Sequence, residues 1–142
     1  MTDVRPPDNR VLMRRDRVAD HLGFVVTRDE PGLTVISMAV RDDMLNGFDV
    51  THGGVIFSLA DTAFAYACND DDQITLAAGA DIAFLKPTFV GDTLRATAAL
   101  RTQAGRSGIY DVSVTNQDNL VIAEFRGRSR KTTLPLPGSA GK

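Results

Sequence analysis

The sequence predicts an α+β domain in which an antiparallel sheet wraps a central helix. Three observations carry this. Val55 to Asn69 is apolar nearly all the way round a helix, a pattern that belongs inside something rather than on a surface. Six other stretches have strand character, several with a clean two-residue alternation. Short turn signals separate the strands of the second half, and no internal repeat or second domain interrupts them. A length of 142 residues suits one core and not two.

The elements follow in order. Residues 1–9, polar and proline-bearing, read as a flexible N-terminal arm, 10–133 as the folded domain, and 134–142 as a flexible C-terminal tail. Asp8 or Asn9 caps a helix whose apolar positions are Val11, Leu12, Val18, Ala19 and Leu22, and Gly23 stops it. Phe24 to Arg28 and Leu33 to Arg41 are strands about a Glu30-Pro31-Gly32 turn, with Thr34, Ile36, Met38 and Val40 on one face. Arg41 to Thr51 is a loop, His52-Gly53-Gly54 opens the long helix, and Asn69 to Asp72 ends it.

Four more strands complete the chain. Thr75 to Leu85 is almost continuously apolar and stops at Lys86-Pro87. Thr93 to Arg101 sets Leu94, Ala96, Ala98 and Leu100 against Arg95, Thr97 and Arg101. Ile109 to Thr115 places Tyr110, Val112 and Val114 together. Leu120 to Lys131 turns Val121, Ala123 and Phe125 inward and Glu124, Arg126, Arg128 and Arg130 outward.

Composition excludes several classes. A net charge of −2 gives no overall footprint for nucleic acid. The single cysteine, Cys68, rules out an internal disulfide or a cysteine-based zinc site in one chain, and reads as a small core residue. The first residues lack a signal-peptide core, and no stretch reaches the roughly 18–20 apolar residues needed to cross a bilayer. The expected location is the cytoplasm. Asp42-Asp43 and Asp70 to Asp72 lack calcium-loop spacing and read as solvated loops.

Chemistry concentrates at two points. Asp61 lies about two turns inside the apolar helix, where an unpartnered carboxylate costs several kcal/mol. It serves either function or a buried hydrogen bond or ion pair at a subunit contact. Gly53 and Gly54 offer bare backbone N–H groups at a helix start, a place suited to a developing oxyanion. The same glycines also fit an ordinary loop-to-helix turn. His52 reads as a hydrogen-bonding residue at the helix start, and His21 receives no role. Eight positions separate Gly53 from Asp61, about 12 Å along one helix. If both act on one carbonyl, they come from two subunits related by a two-fold axis.

At this point the residues match a known pattern. Asn46-Gly47, then after four residues His52-Gly53-Gly54, then the run from Val55 through Asp61 to Asn69, resembles the hotdog-fold thioesterases of bacterial phenylacetic acid degradation. The likeness continues through Asp81 to Pro87, Gly91-Asp92-Thr93-Leu94 and Gly108 to Asp111, spanning about Arg10 to Thr132. The resemblance implies a hotdog fold, dimers joined sheet edge to edge, and tetramers as dimers of dimers. It implies that the Gly53 amide, helped by Asn46, polarises a thioester carbonyl, and that His52 shapes the carbonyl site. Asp61 of the neighbouring subunit then activates water or attacks directly. Phenylacetyl-CoA and ring-hydroxylated or unsaturated acyl-CoAs are the implied substrates. No metal or prosthetic group is implied; coenzyme A is part of the substrate.

Gly54 joins the substrate-contacting residues. Some relatives carry a serine on the strand after the helix; here that position is Gly79, and Thr62 is the candidate to replace its hydroxyl. Arg106, Arg128 and Lys131 are the candidates for the CoA phosphates. The rival readings are a hotdog acyl-CoA hydratase or dehydratase built on an Asp/His dyad, and a non-catalytic acyl-CoA sensor.

Overall fold

The computed structural model describes residues 15–69 and 73–135, and these form one six-stranded antiparallel sheet with a long helix against one face. In order the elements are α1 (Arg17–Leu22), β1 (Val25–Glu30), β2 (Leu33–Ala39), a 3-10 turn (Asp42–Met44), α2 (Gly53–Cys68), β3 (Gln73–Phe84), β4 (Thr93–Ala104), β5 (Ser107–Thr115) and β6 (Val121–Pro135). The order across the sheet is β1-β2-β4-β5-β6-β3. Hairpins join β1 to β2 and β4 through β5 to β6, as their turn residues require. β3 crosses to the far edge and pairs with β6, from Phe84 opposite Ala123 to Thr75 opposite Lys131.

Local chemistry sets the ends of these elements. Asp16 is extended, and its side chain accepts the Ala19 N–H at 2.9 Å, so it caps α1. The expected helix is therefore capped within its length at Asp16, where a short carboxylate takes a backbone donor. The caps Asp8 and Asn9, with Val11 and Leu12, lie outside the described residues, as do Asp70 to Asp72. Gly23 ends α1 in the left-handed region, at φ 73°. The last strand continues past Lys131 as far as Pro135.

The core follows the alternation. Thr34, Ile36, Met38, Val40, Leu94, Ala96, Ala98, Tyr110, Val112, Val114, Ala123 and Phe125 are all buried. Ala60, Ala63 and Ala67 on α2 are also fully buried, and these small side chains let the helix lie close to the sheet. Phe64 uses the space above Gly127, where a Cβ would come within 2.7 Å of its ring, and meets Tyr110 edge to face at 5.6 Å. Burying each such large side chain stabilises the fold by about 1.5–3 kcal/mol.

Several expectations change. Leu100 is exposed, where β4 shifts its register against β5 between Leu100 and Thr102. Val121 is also exposed; a register shift opposite Val114 and Thr115 turns Ile122 inward beside Ala123. β3, read as an apolar strand, is largely exposed, with Leu76 and Phe84 both more than half accessible on an edge. Nor is α2 wrapped all round. Its accessible positions include Gly54, Ser58, Asp61 and Ala65, one stripe at three- and four-residue spacing.

Candidate active site

The loop before α2 is built by Asn46. Its Oδ1 accepts the N–H groups of Phe48 at 2.8 Å and Val50 at 3.4 Å, while its own N–H donates to Val50 O at 2.8 Å. A bridge between Leu45 and Thr51 closes the loop, and Asp49 takes a left-handed backbone at φ 62°. With Oδ1 committed, the Asn46 Nδ2 donors have no partner among the described residues.

His52 is the N-cap of α2. Its N–H donates to Met44 O at 2.8 Å, and its Nδ1 accepts the Gly54 N–H at 2.9 Å. An accepting Nδ1 requires the neutral tautomer with its proton on Nε2. One consequence separates the two glycines: the Gly54 amide is occupied, whereas the Gly53 amide has no acceptor among the described residues. Unpaired N–H groups in a helix's first turn attract negative charge. Gly53 opens onto a cavity of about 330 Å³ that Asn46, Thr51, Phe84, Leu85 and Thr88 also line. A Cβ on Gly53 would stand 3.1 Å from the Phe84 ring.

Asp61 lies on the accessible stripe of α2 rather than in the core. It makes no hydrogen bond or ion pair among the described residues. Partial burial holds its carboxyl above the usual aspartate range, and the negative charge of Asp16 adds to the effect. Thr62, by contrast, is buried, and its hydroxyl donates to Ser58 O at 2.7 Å, so it is turned away from the Asp61 stripe. Ser58 occupies that stripe instead, one turn before Asp61, with its hydroxyl on Gly54 O at 2.9 Å. Ser58 is not among the residues expected from sequence, although its three-residue spacing from Asp61 is a usable signal.

Of the basic residues, Lys86 lines the cavity, whereas Arg106, Arg128 and Lys131 are not brought to it within one chain. Arg128 lies over Gly79 and donates to Asp81 at 3.0 Å, filling the space that a side chain at Gly79 would need. Arg126 donates to Asp111 at 2.7 Å and Arg130 to Ser107 at 3.2 Å, so the expected basic stripe is largely a set of cross-strand pairs. Arg106 and Lys131 sit together, with the Lys131 N–H on Arg106 O at 2.8 Å. Cys68 is buried, as expected of a core residue. Among the described residues no three His, Cys, Asp or Glu side chains cluster to hold a metal, and no helix is long and apolar enough to cross a membrane.

A sheet curled about one long helix, an unpaired amide at the helix start and a carboxylate farther along it define a hotdog-fold enzyme of the thioester-processing class. The chain belongs to the thioesterase superfamily, whose family model matches residues 48–123. It is 43% identical over 129 residues to the acyl-coenzyme A thioesterase PaaI of Escherichia coli strain K12, covering 91% of this chain and 92% of that one. The structure of the E. coli PaaI protein, from the phenylacetic acid degradation operon, superposes with a TM-score of 0.85 over 87% of this chain and 90% of that one. The TT0310 protein of Thermus thermophilus is 30% identical, with a TM-score of 0.78 over 83% of this chain and 99% of that one.

Proposed function

We propose that this chain hydrolyses aryl acyl-CoA thioesters, phenylacetyl-CoA or its ring-hydroxylated relatives, to the free acid and CoA. The observation that carries the proposal is the Gly53 N–H at the start of α2, without an acceptor among the described residues and on a residue that lines a cavity together with Asn46. In the proposed reaction these two donors hold the carbonyl oxygen and take up the charge it gains as the carbon becomes tetrahedral. Asp61 of a second copy accepts a proton from water as the water oxygen bonds to that carbon; direct carboxylate attack is the variant route. The C–S bond then breaks, and the proton passes to the departing CoA sulfur. The chemistry calls for no metal or prosthetic group.

Two copies are required because Asp61 and Gly53 of one chain are about 12 Å apart along α2. The exposed apolar β3 edge supports a two-fold pairing, since an open edge of this kind is a template for another strand. Antiparallel pairing of two β3 strands brings the start of one α2 toward the far end of the other. That same arrangement carries Arg106 and Lys131, level with Thr75, toward the partner's cavity, where they serve the CoA phosphates. Pairing of dimers into tetramers completes the assembly. A single cysteine, Cys68, buried in the core, accords with a cytoplasmic setting.

The His52 geometry favours hydrolysis over an Asp/His hydratase: Nδ1 is engaged with Gly54 and is not free to take a proton from carbon. The test is release of CoA thiol from phenylacetyl-CoA, hydroxyphenylacetyl-CoA and a straight-chain acyl-CoA. Preferred turnover of an aryl thioester, lost in Asp61→Asn, supports the proposal; binding without turnover by the wild type would replace it with the sensor or hydratase reading.

A further inference from the structure

Thr51 and Thr88 are 37 positions apart, yet Thr88 Oγ1 donates to Thr51 Oγ1 at 2.6 Å. The Thr51 N–H also donates to Thr88 O at 2.9 Å. Both residues are almost fully buried, at 5% and 1% exposed, and both line the cavity that Gly53 faces. Two hydroxyls carry two protons, and the bond between them uses one; the other meets no acceptor among the described residues. Burying hydroxyl groups is costlier than burying methyl groups of the same shape, so packing alone gives no reason for this pair.

Its position does. Thr51 stands two residues before Gly53, and between them the His52 N–H is held by Met44 O at 2.8 Å. Thr88 grips Thr51 by backbone and side chain together, and so joins the loop after β3 to the segment that leads into α2. We infer that Thr51 and Thr88 are positioning residues which fix the Gly53 N–H at the substrate carbonyl. The inference rests on the thioesterase reading above. An amide that polarises a carbonyl contributes more in the transition state than in the bound substrate, so its displacement lowers kcat and leaves KM nearly alone.

The experiment compares wild type with Thr88→Val, Thr88→Ser, Thr51→Val and the double Thr51→Val/Thr88→Val, using steady-state hydrolysis of phenylacetyl-CoA beside thermal melting. Thr88→Val removes the hydroxyl at nearly constant shape. The expected result is a kcat lower by about 10- to 100-fold, the scale set by a misplacement of about 1 Å, with KM within about twofold. Thr88→Ser keeps the hydroxyl and restores kcat, and the double variant is no worse than the poorer single, because the pair acts as one unit. If Thr88→Val does not fold, Thr88→Ala removes the hydroxyl without adding bulk and is read the same way. A lower melting temperature with unchanged kcat overturns the inference and makes the pair purely structural. A wild type that hydrolyses no thioester overturns the underlying reading and the inference with it.

Discussion

The Nδ1 of His52 accepts the backbone N–H of Gly54 at 2.9 Å, so the imidazole closes the first turn of α2 from outside. Losing such a cap costs about 1 kcal/mol. His52→Ala is expected to lower the melting temperature by roughly 2–5 °C, and His52→Asn to restore it. Thermal melts of the three proteins check this without any substrate. The Gly53 amide, unlike that of Gly54, stays available in all of them.

Asp61→Asn should separate stability from activity. The folded state raises the Asp61 pKa, so the stabilising protonated form is fully present below the unfolded pKa. That contribution is lost as pH rises through the folded value, and at neutral pH the wild type carries the cost of a half-buried charge. Removing the charge is expected to leave the melting temperature equal or higher while turnover falls by about 10²–10⁴-fold. A melting temperature well below wild type at pH 7 would contradict this account of Asp61.

Asp16 tunes the same group from the neighbouring helix. Its charge is one of two causes that raise the Asp61 pKa. Asp16→Asn keeps a good cap on α1 and removes that charge. The acid limb of the rate profile should therefore lie above the ordinary aspartate range in wild type and move to lower pH in the variant. An unmoved limb would show that Asp16 does not act on Asp61 in the assembled enzyme.

Gly127→Ala tests the packing of the helix on the sheet. The added Cβ would sit 2.7 Å from the Phe64 ring, which is 1% exposed and wedged against Tyr110 and Phe125. Overpacking of this kind costs about 1–3 kcal/mol, which a denaturant titration would register as a lower midpoint with little change in slope.

Much of the fold is legible in the sequence because one face of most strands is buried, and burial imposes the alternation seen at Ile36, Met38, Ala96, Ala98, Val112 and Val114. β3 misleads for the converse reason. Its apolar run resembles that of a buried strand, yet it lies at an open edge of the sheet and stays largely exposed. Asn46, His52 and Gly53 are legible as a motif and do gather around one loop and helix start. The placement of Ser58 and Thr62 is not, because adjacent helix positions point about 100° apart and only the packing says which one is accessible. Thr51 and Thr88 look ordinary in sequence, and nothing in their spacing announces a hydrogen bond across two loops.

The separation of Gly53 from Asp61 along α2 has a genetic counterpart. In the proposed dimer each centre takes Asn46 and Gly53 from one copy and Asp61 from the other. Asn46→Asp keeps the Oδ1 contacts of its loop and removes the Nδ2 donors, so by itself it should be folded and inactive, like Asp61→Asn. Dissociated together and reassembled, the two dead proteins form mixed dimers in which one centre carries both lesions and the other carries neither. Random pairing makes half of the dimers mixed, so about a quarter of wild-type activity returns. Subunits that each held a complete centre could not complement one another in this way.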